Sequence, residues 1–197
     1  PAWANNAKRS AKALMNLENE KISIEKILTD KAFENAMVLH AACGGSTNLL
    51  LHLPAIAHAV GRRRMTVDDW ARVNSYVPRL VDVLPNGPVG YPTAQFYAAG
   101  GVPEVMLNLK ILGLLNLDEM TVTGKTIGEN HKAVIFPKNQ DVVYTCDNPI
   151  SKHSSVVGLW GNLAEDGSIS KIAGLTNLYF KGKAKCFDCE EDALTAV

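Results

Sequence analysis

The hydrophobic residues of the first 115 positions recur with the spacing of α-helices. Apolar residues three or four positions apart share one helix face, as Phe33 and Met37 do here. This spacing, together with the Gly and Pro residues between the apolar runs, predicts six helices, over about 3–20, 30–43, 48–60, 67–75, 93–99 and 102–112. Thr66 and Asp69 form a capping box before the fourth helix, and Pro103 is expected at the first position of the sixth.

Beyond about residue 120 the pattern changes to short runs rich in β-branched and aromatic residues. Strand candidates lie at 142–144, 155–160, 168–172 and 183–187. Asp166-Gly167 is a turn signal between the second and the third of these strands, and Asp188 with Glu191 predicts a cap for a last helix. The residues therefore predict an α/β chain in which a mainly helical part precedes the start of a β-rich domain, with the junction between 117 and 130.

Composition narrows the class of protein. Of the 197 residues, 47% are apolar and 20% are charged, and the formal net charge is zero. These values are typical of a globular domain rather than of a disordered chain. No uninterrupted apolar run approaches the roughly 18–20 residues of a membrane-spanning helix, and the charge balance gives no electrostatic reason to expect a nucleic acid. Because the chain opens and stops inside helical patterns, we expect it to be a segment of a longer polypeptide.

The four cysteines are expected to be reduced thiols in a cytoplasmic protein, because nothing in the sequence indicates secretion. Cys186 and Cys189 form a Cys-x-x-Cys pair, which is either half of a zinc or redox site or a coincidence at the end of a strand. A second pair at zinc-site spacing is absent, and the negative charge of the following Glu190 opposes a thiolate. We therefore favour coincidence and expect no metal ligand here.

The stretch 40–48, His-Ala-Ala-Cys-Gly-Gly-Ser-Thr-Asn, carries the most informative chemistry of the chain. Its Gly pair permits tight backbone geometry, and Ser46, Thr47 and Asn48 follow at the start of a helix. Backbone N–H groups and hydroxyls at such a start suit a carboxylate or a phosphate. The alternative is a plain helix–turn–helix corner with a cap, which the spacing by itself favours because caps are common. Gly100-Gly101 repeats the pattern before the sixth predicted helix.

Two further motifs predict no chemistry. The Gly-Lys-Thr at 124–126 is not a phosphate-binding P-loop, because Glu119 stands where that motif needs a glycine, and we interpret the stretch as a linker. His40, His52 and His58 lie on predicted helices without a partner at metal-ligand spacing, so they are interpreted as packing or surface histidines.

Five blocks of the chain resemble, in the same order, the dihydroxy-acid and phosphogluconate dehydratase family. They include Gly-Gly-Ser-Thr-Asn, Gly-Gly-Val-Pro-Glu-Val-Met, Thr-Val-Thr-Gly-Lys-Thr and Gly-Asn-Leu-Ala-Glu-Asp-Gly, and they lie at 22–60, 100–106, 121–129, 161–167 and 184–193. Within the family, residues 77–89 and 103–106 look most like the xylonate dehydratase branch. The strand region after 150 looks closer to the dihydroxy-acid dehydratases.

The resemblance implies a fold and a reaction. Residues 1–118 would be the C-terminal, mainly helical part of an N-terminal α/β domain, and residues 119–197 the truncated start of a β-rich, barrel-like, swivelling C-terminal domain. The reaction would remove water from a 2,3-dihydroxy carboxylate, D-xylonate in the branch most resembled, and give a 2-keto-3-deoxy acid. Two alternatives stay open: a dihydroxy-acid dehydratase of branched-chain amino acid biosynthesis, and a non-catalytic interaction fragment whose cysteine pair binds zinc.

Family members use an iron–sulfur cluster and Mg²⁺, and the resemblance places their ligands and the catalytic base in blocks outside this segment. We therefore expect no catalytic residue and no metal ligand within it, and no activity of the isolated segment. Ser46, Thr47 and Asn48 carry over as candidate substrate-binding residues. The resemblance also implies a small-molecule sugar-acid substrate, a homo-oligomer and a cytoplasmic location, with neither nucleic acid nor membrane as a partner.

Overall fold

The computed structural model describes residues 2–175 and 177–196. Its elements are α1 (Ala2–Asn19), α2 (Ile24–Ile27), α3 (Asp30–Cys43), α4 (Leu49–Ala59), α5 (Val67–Tyr76), α6 (Thr93–Ala98), α7 (Gly101–Ile111), α8 (Ile127–Lys132), β1 (Val156–Gly161), β2 (Ala164–Lys171) and α9 (Glu190–Ala196). All six helices predicted in the first 115 residues are present, so the prediction of a mixed α/β chain with a helical first part is confirmed.

Local capping explains where several of these helices begin. The Thr29 side chain accepts a hydrogen bond from the N–H of Ala32 at the start of α3. The predicted capping box before α5 is confirmed, with the N–H of Thr66 donating to Asp69 Oδ2 at 2.8 Å. α7 begins earlier than predicted, so Pro103 is its third residue rather than its first. That position is still in the first turn, where a helix makes no use of the missing N–H.

The hydrophobic core is built around α3. Its buried members come from α3, α4, α5, α7 and the segments beside them: Phe33, Met37, Val38, Ala41, Ala42, Leu53, Ala57, Trp70, Val73, Val77, Leu80, Val81, Val105, Leu109 and Val143. Each large apolar side chain buried in this way contributes about 1.5–3 kcal/mol relative to an exposed one. α1 contributes little to this core, since Trp3 is 88% exposed. The C-terminal half of α3 is thus packed into the core through Val38, Ala41 and Ala42.

β1 and β2 form an antiparallel hairpin that packs on α5, with Val156 opposite Lys171 and Leu159 opposite Ser168. The prediction that Asp166-Gly167 makes the turn is wrong, because the turn consists of Asn162 and Leu163 and Gly167 lies inside β2. Gly167 has a φ of +91°, and a Cβ there would lie 2.7 Å from Trp160 Nε1. This glycine therefore belongs to an irregular part of the β1–β2 pairing, where the register shifts, and not to the turn.

Two other sequence predictions, both of strands, need correction. Residues 142–144 make a single bridge to Val81 rather than a strand, and residues 183–187 form no strand within the described part of the chain. A strand needs a partner for its backbone N–H and C=O groups, and pattern alone does not supply one. The stretch at 121–126, interpreted as a linker, contains no helix or strand and is followed directly by α8, which a capping box of Thr126 and Glu129 begins.

Two features of the sequence interpretation stay predictions. These are the domain boundary at residue 118 and the barrel-like character of the second domain. The sheet of the described residues consists of the two strands β1 and β2. Among the described helices, none combines the length and the apolar character that crossing a lipid bilayer requires.

Candidate functional site

The Gly44-Gly45 corner joins α3 to α4 and is the centre of the candidate site. Gly44 is the C-cap of α3 and has φ +61° and ψ +42°, the left-handed conformation that glycine adopts most easily. The N–H groups of Gly44 and Gly45 bond to the carbonyls of Ala41 and His40 at 3.0 and 2.9 Å. These bonds close the helix and turn the chain sharply, so that residues 46–48 emerge at the surface.

Ser46, Thr47 and Asn48, the polar triplet that follows the corner, are all exposed. The N–H of Asn48 bonds to Ser46 Oγ at 3.3 Å, and the N–H groups of Leu49 and Leu50 bond to the carbonyls of Ser46 and Thr47. The turn thus uses several of the N–H groups that the sequence interpretation offered to an anion. What remains for a ligand is mainly the polar side chains of the triplet.

A groove of about 440 Å³ lies beside this triplet, between α4, α5 and β2. Its lining combines polar and apolar side chains: Thr47, Asn48, Leu50, Leu51, Met65, Thr66, Val67, Trp70, Gly167, Ser168 and Ile169. Trp70 is 2% exposed, and its indole N–H has no hydrogen-bond partner among the described residues. A mainly apolar cleft of this size with a few polar groups at its rim is typical of small-molecule sites. Two of the three predicted residues, Thr47 and Asn48, line it.

The His40 side chain contacts the backbone of the triplet at Ser46. Its Nε2 lies 2.8 Å from the carbonyl oxygen of Ser46, and its ring packs edge-on against Trp70 at 5.3 Å between centroids. Because a carbonyl oxygen only accepts, Nε2 carries the proton. Burial lowers the pKa of His40, the bond to Ser46 opposes this shift, and the charge of Lys171 adds to the lowering. Its interpretation as a packing histidine is correct but incomplete, because this ring also positions Ser46.

Lys171 and Arg79 belong to the same corner, and sequence reasoning missed both. Lys171, the last residue of β2, donates from Nζ to the carbonyl oxygens of Gly44 at 3.2 Å and Gly45 at 3.1 Å. Arg79 lies against Gly44, where a Cβ would be 3.2 Å from Arg79 Cδ. No local motif indicates these contacts, since Lys171 lies 127 positions from Gly44 along the chain.

The second glycine pair, Gly100-Gly101, does not line the groove. Gly100 has a φ of +100°, and a Cβ there would lie 2.9 Å from Cβ of Glu104 on the next helical turn. Glu104 is 9% exposed, and burial raises the pKa of its carboxyl group. Gly100 therefore allows the chain to pass close to Glu104 at the start of α7, and the pair takes no part in the groove beside residues 46–48.

The cysteines do not form a cofactor site in the described part of the chain. Cys43 is half-buried, and burial raises the pKa of its thiol to about 12. Cys186 and Cys189 are exposed on the segment before α9. Within residues 2–175 and 177–196, no group of three or more His, Cys, Asp or Glu side chains could hold a metal ion. These residues therefore do not fit an iron–sulfur cluster or a Mg²⁺ ion by themselves.

Comparison with known proteins identifies the class. Residues 1–130 match the dihydroxy-acid/6-phosphogluconate dehydratase N-terminal model, and residues 141–197 match the corresponding C-terminal model. Because these matches span most of its length, the chain belongs to the dihydroxy-acid/6-phosphogluconate dehydratase family. The resemblance stated from the sequence blocks is thereby confirmed.

The chain is also similar to individual proteins of this family. The chain is 44% identical to D-xylonate dehydratase YjhG of Escherichia coli (strain K12) over 98% of its own length and 34% of that protein. It is also 44% identical to D-xylonate dehydratase YagF of the same organism, over 99% of the chain and 34% of the relative. Dihydroxy-acid dehydratase 2 of Bradyrhizobium diazoefficiens is 46% identical over 93% of the chain and 32% of the relative. The chain thus spans about a third of the length of the curated relatives it matches.

Proposed function

We propose that the full-length protein containing this chain is a dehydratase, a hydro-lyase that converts D-xylonate to a 2-keto-3-deoxy acid. The observation that carries the proposal is the 44% identity to two D-xylonate dehydratases over nearly the whole chain. The similar identity to a dihydroxy-acid dehydratase supports a second candidate, the dehydration of a branched-chain dihydroxy acid. Both substrates are 2,3-dihydroxy carboxylates, so the two candidates share one type of reaction.

In this proposal the described chain contributes part of the substrate pocket. The groove of about 440 Å³ is large enough for a five-carbon acid, and Thr47 and Asn48 at its rim offer a hydroxyl and an amide to sugar hydroxyls. The hydrogen bond from His40 holds the carbonyl of Ser46 in place, which restricts the backbone on which these side chains stand. Such preorganisation lowers the entropic cost of binding a flexible polyol.

The proposal includes an iron–sulfur cluster and Mg²⁺ bound by other parts of the full-length protein. Such metals would supply the Lewis acid that an elimination of hydroxide requires. The proposal further includes a cytoplasmic, self-associating protein, as the family resemblance implies.

The test is a substrate comparison with the full-length protein, purified without oxygen. We expect kcat/KM for D-xylonate to exceed that for 2,3-dihydroxyisovalerate by at least about tenfold, the factor that 1.4 kcal/mol represents. The reverse preference would establish the second candidate. Turnover of neither acid by protein with intact cofactors would overturn the proposal.

The contribution of the groove is tested by Thr47→Val, which removes the hydroxyl and keeps the shape of the side chain. We expect KM for the accepted acid to rise by roughly fivefold to tenfold, the effect of a lost hydrogen bond of about 1 kcal/mol or more. Thr145→Val is the matched control, because Thr145 is exposed and lies outside the groove. Equal KM values for the two variants would remove Thr47 from the pocket.

A further inference from the structure

Helix α1 carries an apolar face that is open to solvent along most of its length. When successive residues are placed about 100° apart, most apolar side chains of the helix fall within an arc of about 120°. This apolar stripe consists of Trp3, Ala4, Ala7, Ala11, Leu14 and Met15, all of them exposed. The exposed fractions of Trp3, Leu14 and Met15 are 88%, 68% and 63%. Glu18 lies on the same side and ends the stripe in the last turn.

The polar side of α1 faces the rest of the described chain. A groove of about 550 Å³ lies between this side of the helix and Thr123. Its α1 residues are Asn6, Arg9, Ser10, Lys12, Ala13 and Asn16. In a surface helix of a globular protein, the apolar stripe normally faces the core and the polar residues face water. α1 has the reverse orientation, since Ala13 and Leu17 are half-buried whereas the apolar stripe is exposed.

The local sequence of α1 does not explain why it is helical. Within Ala2–Asn19, the first turn has no acidic residue and the last turn no basic one, so neither end offsets the helix dipole. Asn5, Asn6 and Asn16 are weak helix formers. Most of the stability of a helix in a protein comes from tertiary packing of its apolar face. The apolar stripe of α1 therefore requires a partner that covers it.

The size of the apolar stripe and the length of the relatives indicate which partner this is. Trp3 and Met15 are about 18 Å apart along the helix axis, at 1.5 Å per residue. A strip of that length presents much less than the roughly 800 Å² per partner that a standard interface between two proteins buries. About two thirds of each D-xylonate dehydratase lies outside the part that the chain matches, because the chain spans 34% of their length. A small surface is covered more easily by a segment of the same polypeptide, which loses less translational freedom than a second molecule.

Charge along one border of the apolar stripe restricts the partner further. Lys8 and Lys12 lie one helical turn apart on this border. Both are exposed, and neither takes part in an ion pair within the part of the chain that the structure describes. Complementary charge across an interface fixes its register and excludes wrong partners. The matching surface is therefore apolar in its centre and acidic on one side.

We propose that the apolar stripe of α1 packs against a segment of the same full-length polypeptide outside residues 1–197, with acidic side chains of that segment beside Lys8 and Lys12. Alanine at positions 4, 7 and 11 allows a second helix to approach to an interaxial distance of about 8 Å, and Trp3 and Leu14 pack at its two ends. The stripe is then an internal contact of the full-length protein rather than an interface between two copies. This inference does not depend on which acid the enzyme dehydrates.

Cysteine labelling of the full-length protein tests whether the apolar stripe is covered. Ala7→Cys places a thiol within the stripe, and Asn5→Cys is the matched control on the polar side of the same helical turn. We expect N-ethylmaleimide to modify position 7 at least about tenfold more slowly than position 5, because a packed thiol reacts only when the contact opens. Peptide mass mapping measures each rate, and the rates in denatured protein correct for intrinsic reactivity. Equal corrected rates at the two positions overturn the proposal.

Zero-length cross-linking identifies what covers the apolar stripe. A carbodiimide joins a lysine amine to a carboxylate as an amide and takes up the released water as a urea, so Lys8 and Lys12 report the acid beside them. We expect one of these lysines to be joined to an acidic residue outside residues 1–197, in the band of monomer mass on a denaturing gel. The same cross-link in the band of dimer mass alone means that a second copy covers the stripe. That result, or the lack of any cross-link from these lysines to residues outside 1–197, overturns the proposal.

Discussion

Replacing Gly45 by alanine should destabilise the chain, because the added methyl group would collide with the ring of His40. A Cβ at Gly45 would lie 2.7 Å from His40 Nε2 and closer still to Cδ2 of the same ring. Side-chain atoms essentially never approach a Cβ within 3.0 Å, so the ring has to move. It is 7% exposed and packed against Trp70, and any retreat breaks its bond to the carbonyl of Ser46. The structural reason for glycine at position 45 is therefore the ring of His40.

The expected destabilisation is the sum of the lost hydrogen bond and the overpacking around the His40 ring. The hydrogen bond between His40 and Ser46 contributes about 0.5–1.5 kcal/mol, and overpacking a filled site costs about 1–3 kcal/mol. We expect Gly45→Ala to lower the free energy of unfolding by about 2–4 kcal/mol, measured by urea denaturation with the m-value checked for constancy. Gly161→Ala is the matched control, because a Cβ at Gly161 has no atom within 4 Å. Its free energy of unfolding should stay within about 0.5 kcal/mol of the unmodified chain.

A double-mutant cycle tests the named cause. His40→Ala removes the ring that the new methyl group would strike, so Gly45→Ala should cost less in that background than in the unmodified chain. We expect a coupling energy of about 1–3 kcal/mol. Strict additivity of the two substitutions, or a cost for Gly45→Ala no larger than that for Gly161→Ala, would refute the reasoning.

Two further predictions concern titration and thiol reactivity. Burial lowers the pKa of His40 in the folded chain below the ~6.5 of an unfolded histidine, so its contribution to stability is present above that pH and lost as the pH falls through the lowered folded-state value. Urea midpoints between pH 7.5 and 5.5 should fall less in His40→Gln than in the unmodified chain, and equal slopes would contradict this. The pKa of about 12 and the burial of Cys43 predict that iodoacetamide at pH 8 modifies the exposed Cys186 and Cys189 first. Peptide mass mapping measures the order, and labelling of Cys43 at the rate of Cys189 would disprove it.

The sequence by itself determined the features that depend on neighbours a few positions away. Helix periodicity, the capping box of Thr66 and Asp69, and the helix-ending Gly44 all act over one or two turns of chain, and each is where the pattern predicted it. The family was also recognisable, because its blocks are continuous stretches of sequence. The exposed triplet that starts at Ser46 was visible for the same reason, as a run of small polar residues after a glycine pair.

Tertiary structure alone decided the rest, because those features depend on groups that are distant in sequence. The run at 183–187 has strand composition, yet it has no ladder among the described residues, since pairing needs a neighbouring strand with free N–H and C=O groups. The hairpin turns at Asn162 and Leu163, whereas Gly167 lies inside β2 beside Trp160, a side chain seven positions away. The contact of Lys171 with Gly44 spans 127 positions and arises from the packing of the hairpin on α5. No local pattern carries such information, since burial and packing select these partners only once the core has formed.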